Sequence, residues 1–180
     1  MQVYLVRHPR PSNVEGLCYG DLDVPVEAKV FTVAAETVSG QISSETLAQA
    51  SIYSSPSMRC LELARRLASP REPVQCKELM EMNFGDWQGR AWDKLPRVQL
   101  DAWARDVWGY RPGGGESAEM VAARWQCWLV QARRIGAGSI VAVTHAGVIR
   151  VALARSGHLR TKAPLEAPIS FNSVHHLDIA

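Results

Sequence analysis

Two histidines, His8 and His145, stand 137 positions apart, and each closes a β-branched apolar run: Val3-Tyr4-Leu5-Val6-Arg7-His8 and Ile140-Val141-Ala142-Val143-Thr144-His145. Runs of this kind read as buried parallel strands, and polar residues at their C-terminal ends fall where open α/β sheets place ligands. Two imidazoles and the Arg7 guanidinium at one rim suit an anionic phosphate and a nitrogen nucleophile. A single strand-ending histidine is ordinarily just a satisfied polar cap. The repeated ending argues for shared chemistry, and it predicts neighbouring central strands with both imidazoles at one phosphate.

A third cation comes from Ser54-Ser55-Pro56-Ser57-Met58-Arg59. Ser55 is the expected N-cap and Pro56 the expected first helical residue, because proline lacks an N–H that is unpaired there anyway. Arg59 then falls in the first helical turn, where a cation is disfavoured unless an anion joins it. Carboxylates follow at Glu78, Glu81 and Asp86, and periodicity does not choose among them.

The elements that position these residues alternate. Strands are expected at 2–7, 51–54, 73–77, 139–144 and 173–179, and helices at about 28–39, 44–49, 56–68, 92–107, 117–135 and 146–156. Such alternation predicts a three-layer α/β/α domain over 1–180, with a mostly parallel central sheet and helices on both faces. The last strand is free to be antiparallel. Residues 9–26 are rich in turn formers and read as an irregular loop. Residues 83–116 read as an insertion or lid above the site, with Trp87, Trp92, Trp103 and Trp108 forming a packed subcluster.

Composition sets outer bounds. The 180 residues fit one domain, and a net charge of +2 with scattered basic residues gives no nucleic-acid signature. No stretch approaches the ~20 apolar residues of a membrane span. The N-terminus opens directly into a strand with no signal segment, and Cys18, Cys60, Cys76 and Cys127 are far apart, so reduced thiols in a cytoplasmic protein are expected. No close ligand pair suggests a metal: adjacent His175 and His176 on a strand point to opposite faces.

Read together, Arg7-His8, Ser-Ser-Pro-Ser-Met-Arg at 54–59, Glu81 before Asn83-Phe84-Gly85-Asp86-Trp87-Gln88-Gly89, Pro-Gly-Gly-Gly-Glu-Ser at 112–117 and Thr144-His145-Ala146-Gly147 resemble the histidine phosphatase superfamily, the phosphoglycerate-mutase-like fold. The ordered motifs span almost the whole chain. The compact length, the Phe-Gly-Asp-Trp motif and Gly-Leu-Cys-Tyr-Gly at 16–20 most resemble the α-ribazole phosphatase type, which acts late in cobalamin assembly. The resemblance implies a phosphomonoester hydrolase using no cofactor and no metal. His8 would be the nucleophile that becomes phosphohistidine, and Glu81 the general acid. Arg7, Arg59 and His145, the last as an imidazolium, would hold the phosphoryl oxygens, with Asn13 and the Ala146 backbone as further donors. Tyr19, Gly20 and Trp87 are candidates for the substrate-facing rim. The implied partner is a small-molecule phosphomonoester, with no nucleic acid or membrane; oligomeric state is left open.

The chain departs from that pattern in one loop. Where Arg-His-Gly-Glu is usual, it reads Arg7-His8-Pro9-Arg10. Pro9 removes a backbone donor and fixes φ near −65°, and Arg10 reverses the sign of a charge, which could extend the anion site outward. Asn13 sits one residue early. Two other functions share the motifs. A phosphoglycerate mutase is generally longer and needs more cations after the Phe-Gly motif than Arg90, and a weakly catalytic phosphate-binding regulatory protein would fit Pro9 and Arg10. Arg124 is open between an internal ion-pair partner and plain surface.

Overall fold

A computed structural model describes residues 1–136, 138–157 and 167–179. Its central sheet has the strand order β4-β3-β6-β1-β7, with β1 Gln2–Arg7, β3 Ser51–Ser54, β4 Val74–Gln75, β6 Ser139–Thr144 and β7 Val174–Asp178. The pairs β3–β4, β3–β6 and β1–β6 are parallel, and β7 lies antiparallel along β1. A separate two-stranded ribbon joins β2 Leu17–Cys18 to β5 Arg90–Ala91.

Strand alternation assigns the two faces. Val3, Leu5, Ile140 and Ala142 pack beneath α5 (Ala118–Arg134) and α6 (Ala146–Arg155), with Trp125, Trp128 and Ile149. Val6, Val141 and Val143 pack beneath α1 (Ala28–Ser39) and α3 (Met58–Ala68), with Phe31, Leu63 and Leu67. Helices thus cover both faces, as the alternating pattern predicts. In α3, buried Cys60, Leu63, Ala64, Leu67 and Ala68 recur at helical spacing. Leu63, fully buried, is a packing residue whose truncation to Ala would cost about 2–5 kcal/mol.

Three boundaries differ from the sequence reading. The strand expected at 73–77 is only Val74–Gln75. The helix expected at 92–107 begins only after Pro96, as α4 Arg97–Arg105, and residues 92–94 form a single 3₁₀ turn. Proline sets the boundary, because it restrains the residue before it from helical backbone. In α3 the N-cap is Ser57, not Ser55, and Pro56 lies outside the helix. A short helix, α2 (Ser44–Gln49), is capped by Ser43.

The stretch 83–116 packs around Trp87, Trp92 and Trp103 with Phe84, Leu95 and Tyr110. Trp108 is not in that cluster; it contacts the α5/α6 core and carries the Arg155 guanidinium on its ring. All four cysteines are free. Among the described residues no helix is long and apolar enough to cross a membrane.

Candidate active site

The parallel register sets Arg7 opposite Thr144, and the His8 N–H donates to the Thr144 carbonyl. The two strand-ending histidines therefore leave the sheet side by side. Their ring centroids are 5.0 Å apart in an edge-to-face arrangement, and both residues are buried. Neighbouring strands and a shared locus are what the repeated ending predicts.

His8 Nδ1 is 2.7 Å from the Pro9 carbonyl. A carbonyl only accepts, so Nδ1 carries the proton and Nε2 keeps its lone pair. Pro9 therefore supplies an acceptor that orients the ring. Burial, followed by the Arg59 charge, holds the His8 pKa well below the usual histidine value. A neutral imidazole with a free Nε2 is a competent nucleophile.

His145 precedes the first turn of α6, with Nε2 2.8 Å from Ser55 Oγ and 3.4 Å from Cys60 Sγ. Burial, then His8 and Arg59, holds its pKa well below the ordinary value too. These causes favour the neutral ring over the imidazolium implied by the resemblance, because a third positive charge beside buried guanidiniums is disfavoured. The site's fixed positive charge comes from arginine.

Arg59 is 0 % exposed. Its terminal nitrogens donate to the Leu22 carbonyl at 2.6 Å and the Gly20 carbonyl at 2.8 Å, and Nε has no partner. Its nearest carboxylate oxygen, Asp23 Oδ1, is 3.9 Å away on a side chain 55 % exposed. Arg7 likewise has a buried, unpartnered Nε, donates to the Ile169 carbonyl and lies over the Phe171 ring at 3.7 Å. Burial lowers its pKa, partly offset by Tyr19 and Glu81. A buried cation without a directly bonded anion is costly, and an orphaned donor in such a place invites an anionic ligand.

Glu81 stands at the N-terminus of α6. Both carboxylate oxygens accept from the Gly147 N–H, at 3.1 and 3.2 Å, and Oε1 also accepts from the Met82 N–H. The segment carrying it is held from behind. Arg124 pairs with Glu116 at 2.9 Å and donates to the carbonyls of Glu78 and Glu81, while Glu116 accepts from the Asn83 N–H. Thr144 Oγ1 donates to the Leu79 carbonyl. This makes Arg124 an internal ion-pair partner. A cleft of ≈ 90 Å³ adjoins Glu81, lined in part by Phe84, Trp103, Val121 and Arg150.

Among the other candidates, Tyr19 lies near Arg7, and its ring faces Arg59 at 5.4 Å. Gly20 gives its carbonyl to Arg59 at φ +46°, and a Cβ there would meet Gln88 Oε1 at 2.2 Å. Ala146 opens α6 and presents a first-turn N–H. None of the described hydrogen bonds ties Asn13 to the cluster. It is exposed in a left-handed turn (φ 58°), a backbone role that asparagine tolerates well. Trp87 is not at the rim: it is 1 % exposed, with Nε1 bonded to Gln99. Glu78 and Asp86 lie off the cluster, Asp86 lining a groove with Arg90 and Tyr110. Sequence reasoning missed Ser55, Cys60, Arg150, Ile169 and Phe171. Ser55, four residues before Arg59, and Cys60, directly after it, lie in the motif that carries Arg59; the other three offer no local signal.

A family model of the histidine phosphatase superfamily, branch 1, matches residues 3–180. The chain belongs to the histidine phosphatase superfamily. Similar solved structures include YhfR of Bacillus stearothermophilus, at 25% identity and a TM-score of 0.83, covering 99% of this chain and 91% of that one. A phosphoglycerate mutase from Thermus thermophilus follows at 27% identity and 0.76, covering 99% and 93%. The α-ribazole phosphatase of Shigella flexneri is 24% identical at 0.80, covering 100% and 91%, a likeness of fold. No curated protein matches the chain. In this member of the superfamily, His8, His145, Arg7, Arg59 and Glu81 are the residues that the fold brings to one rim.

Proposed function

We propose that this chain hydrolyses phosphomonoesters through a phosphohistidine on His8. The observation that carries this reading is Arg59: a fully buried guanidinium, its Nε unpartnered, beside two neutral imidazoles. A phosphoryl group supplies the missing anion, and fixed guanidiniums stabilise its equatorial oxygens through the transition state.

His8 Nε2 attacks phosphorus in line, the P–N bond forms as the ester P–O bond breaks, and Glu81 gives its proton to the departing alkoxide. Glu81, now ionised, takes a proton from water, whose oxygen attacks phosphorus. The P–N bond breaks and inorganic phosphate leaves. Hydrolysis is favoured over mutase transfer because Arg90, the cation after the Phe-Gly motif, is exposed and donates to the Lys94 carbonyl.

Within this class the sequence resemblance names α-ribazole 5′-phosphate as one candidate substrate, to be weighed against esters that carry a second anionic group. The Gly-Leu-Cys-Tyr-Gly stretch behind that choice also does structural work, since Leu17–Cys18 forms the ribbon and Gly20 holds Arg59. A phosphatase panel with α-ribazole 5′-phosphate, sugar phosphates and nucleotides ranks the substrates. The reading is tested by brief exposure to a ³²P-labelled phosphomonoester and denaturation. An acid-labile, base-stable protein adduct is expected, absent from a folded His8→Ala variant that also lacks turnover. Substantial turnover by that variant would overturn the assignment.

A further inference from the structure

We propose that Arg10 receives a second anionic group of the substrate, so that the site selects phosphomonoesters bearing a carboxylate or a further phosphate a few bonds from the ester. This inference rests on the phosphomonoesterase reading and adds the charge class of the substrate to it.

One aromatic ring organises the argument. Phe171 carries the Arg7 guanidinium at 3.7 Å and the Arg10 guanidinium at 5.0 Å from its centroid, with the His8 ring 5.7 Å away. Both guanidiniums thus pack on one ring, which holds Arg10 beside the phosphoryl site. Two like charges in that position repel, and an exposed cation–π contact returns only about 0.5–1 kcal/mol. Among the described residues Arg10 has no ion pair with a carboxylate, and its guanidinium lies over Phe171. An anion reaching both guanidiniums turns the repulsion into attraction.

The backbone beneath Arg10 is prepared for this. Pro9 and Pro11 flank it and both are buried. Proline at 9 fixes its own φ, and proline at 11 confines residue 10 to extended conformations. Pro9 also gives its carbonyl to His8 Nδ1, so the strut presenting Arg10 is the one that orients the nucleophile. Little backbone freedom remains to be lost on binding.

Charge balance points the same way. Arg7, Arg59 and Arg150 surround the centre, with Arg10 at its edge and Glu81 as the acid within it. With Glu81 protonated as the acid, a phosphomonoester dianion offsets two of these four guanidiniums and leaves positive charge over, with Arg10 at its outer edge. Asp23, 55 % exposed and 3.9 Å from Arg59, changes this little.

The test compares two ligands that differ in one group, 3-phosphoglycerate and glycerol 3-phosphate, as competitive inhibitors of p-nitrophenyl phosphate hydrolysis. The wild-type chain is expected to bind the carboxylate-bearing ester at least tenfold more tightly, with a preference that shrinks as salt is added. In Arg10→Gln that preference should collapse to within about twofold, and Arg10→Lys should restore part of it. An undiminished preference in Arg10→Gln, or none in the wild type, overturns the proposal. So does a tenfold or greater preference of the wild type for α-ribazole 5′-phosphate, which has no second anionic group, over 3-phosphoglycerate. Failure of the underlying reading looks different: the wild type would not hydrolyse p-nitrophenyl phosphate at all.

Discussion

A Cβ built on Gly147 would stand 2.3 Å from Glu81 Oε1. The glycine is required because the carboxylate occupies the space of its missing side chain while taking its N–H. Gly147→Ala is therefore expected to push Glu81 off the helix terminus with little effect on the core. Turnover of alkyl phosphates should fall by about 10-fold or more, the scale of a weakened general-acid term. Steady-state kinetics on a sugar phosphate, with circular dichroism to verify folding, checks this; unchanged turnover would refute it.

Glu81→Gln separates a proton donor from a wall carboxylate. An alkoxide needs a proton to leave, whereas p-nitrophenolate scarcely does. Alkyl phosphate hydrolysis should slow by about 10²–10⁴-fold, while phosphohistidine formation from the aryl ester suffers much less and the adduct accumulates. Stopped-flow bursts read the asymmetry. Equal losses in phosphorylation rate on both substrates would remove the acid role from Glu81.

The Ser55 hydroxyl is the hydrogen-bonding oxygen on the His145 ring, backed by the weaker Cys60 sulfur. Ser55→Ala leaves a buried ring nitrogen poorly satisfied and should cost about 1–3 kcal/mol of stability. Urea denaturation measures the loss. Loss of the Ser55 contact also frees the ring to rotate, so kcat should fall while Cys60→Ala, which removes only the sulfur, has the smaller effect.

Both histidines titrate low in the native state, chiefly through burial. The unfolded chain takes up their protons near pH 6.5 and the folded chain does not. Stability from this source is therefore complete above that pH and is lost as the pH falls. Each histidine contributes a slope of up to about 1.4 kcal/mol per pH unit once its unfolded form is protonated. Urea midpoints should decline from pH 7 to 5.5, and His8→Asn should flatten the decline. An identical slope in that variant would show that His8 is not neutral when folded.

Much of this site is legible in sequence, for a physical reason. Strand-ending histidines, a serine-proline turn before a helix and a first-turn arginine are local patterns, so His8, His145 and Arg59 announce themselves. Glu81 is singled out only by family resemblance, because its selection over Glu78 and Asp86 depends on the N-terminus of a helix 65 residues later. Phe171 and Arg150 have no local signature: each matters through a contact across the fold. Trp87 misleads for the converse reason. Its type suggests recognition, yet it fills a satellite core.

The strand order has a consequence for synthesis. Among the described residues β1 hydrogen-bonds only to β6 and β7, so during synthesis it has no strand partner until residues 139–144 emerge. For most of translation its Val3, Leu5 and Val6 are an uncovered apolar edge, the kind of segment that aggregates or recruits a chaperone. The nucleophile waits with it, because the ring that will stand beside His8 belongs to the residue that directly follows β6.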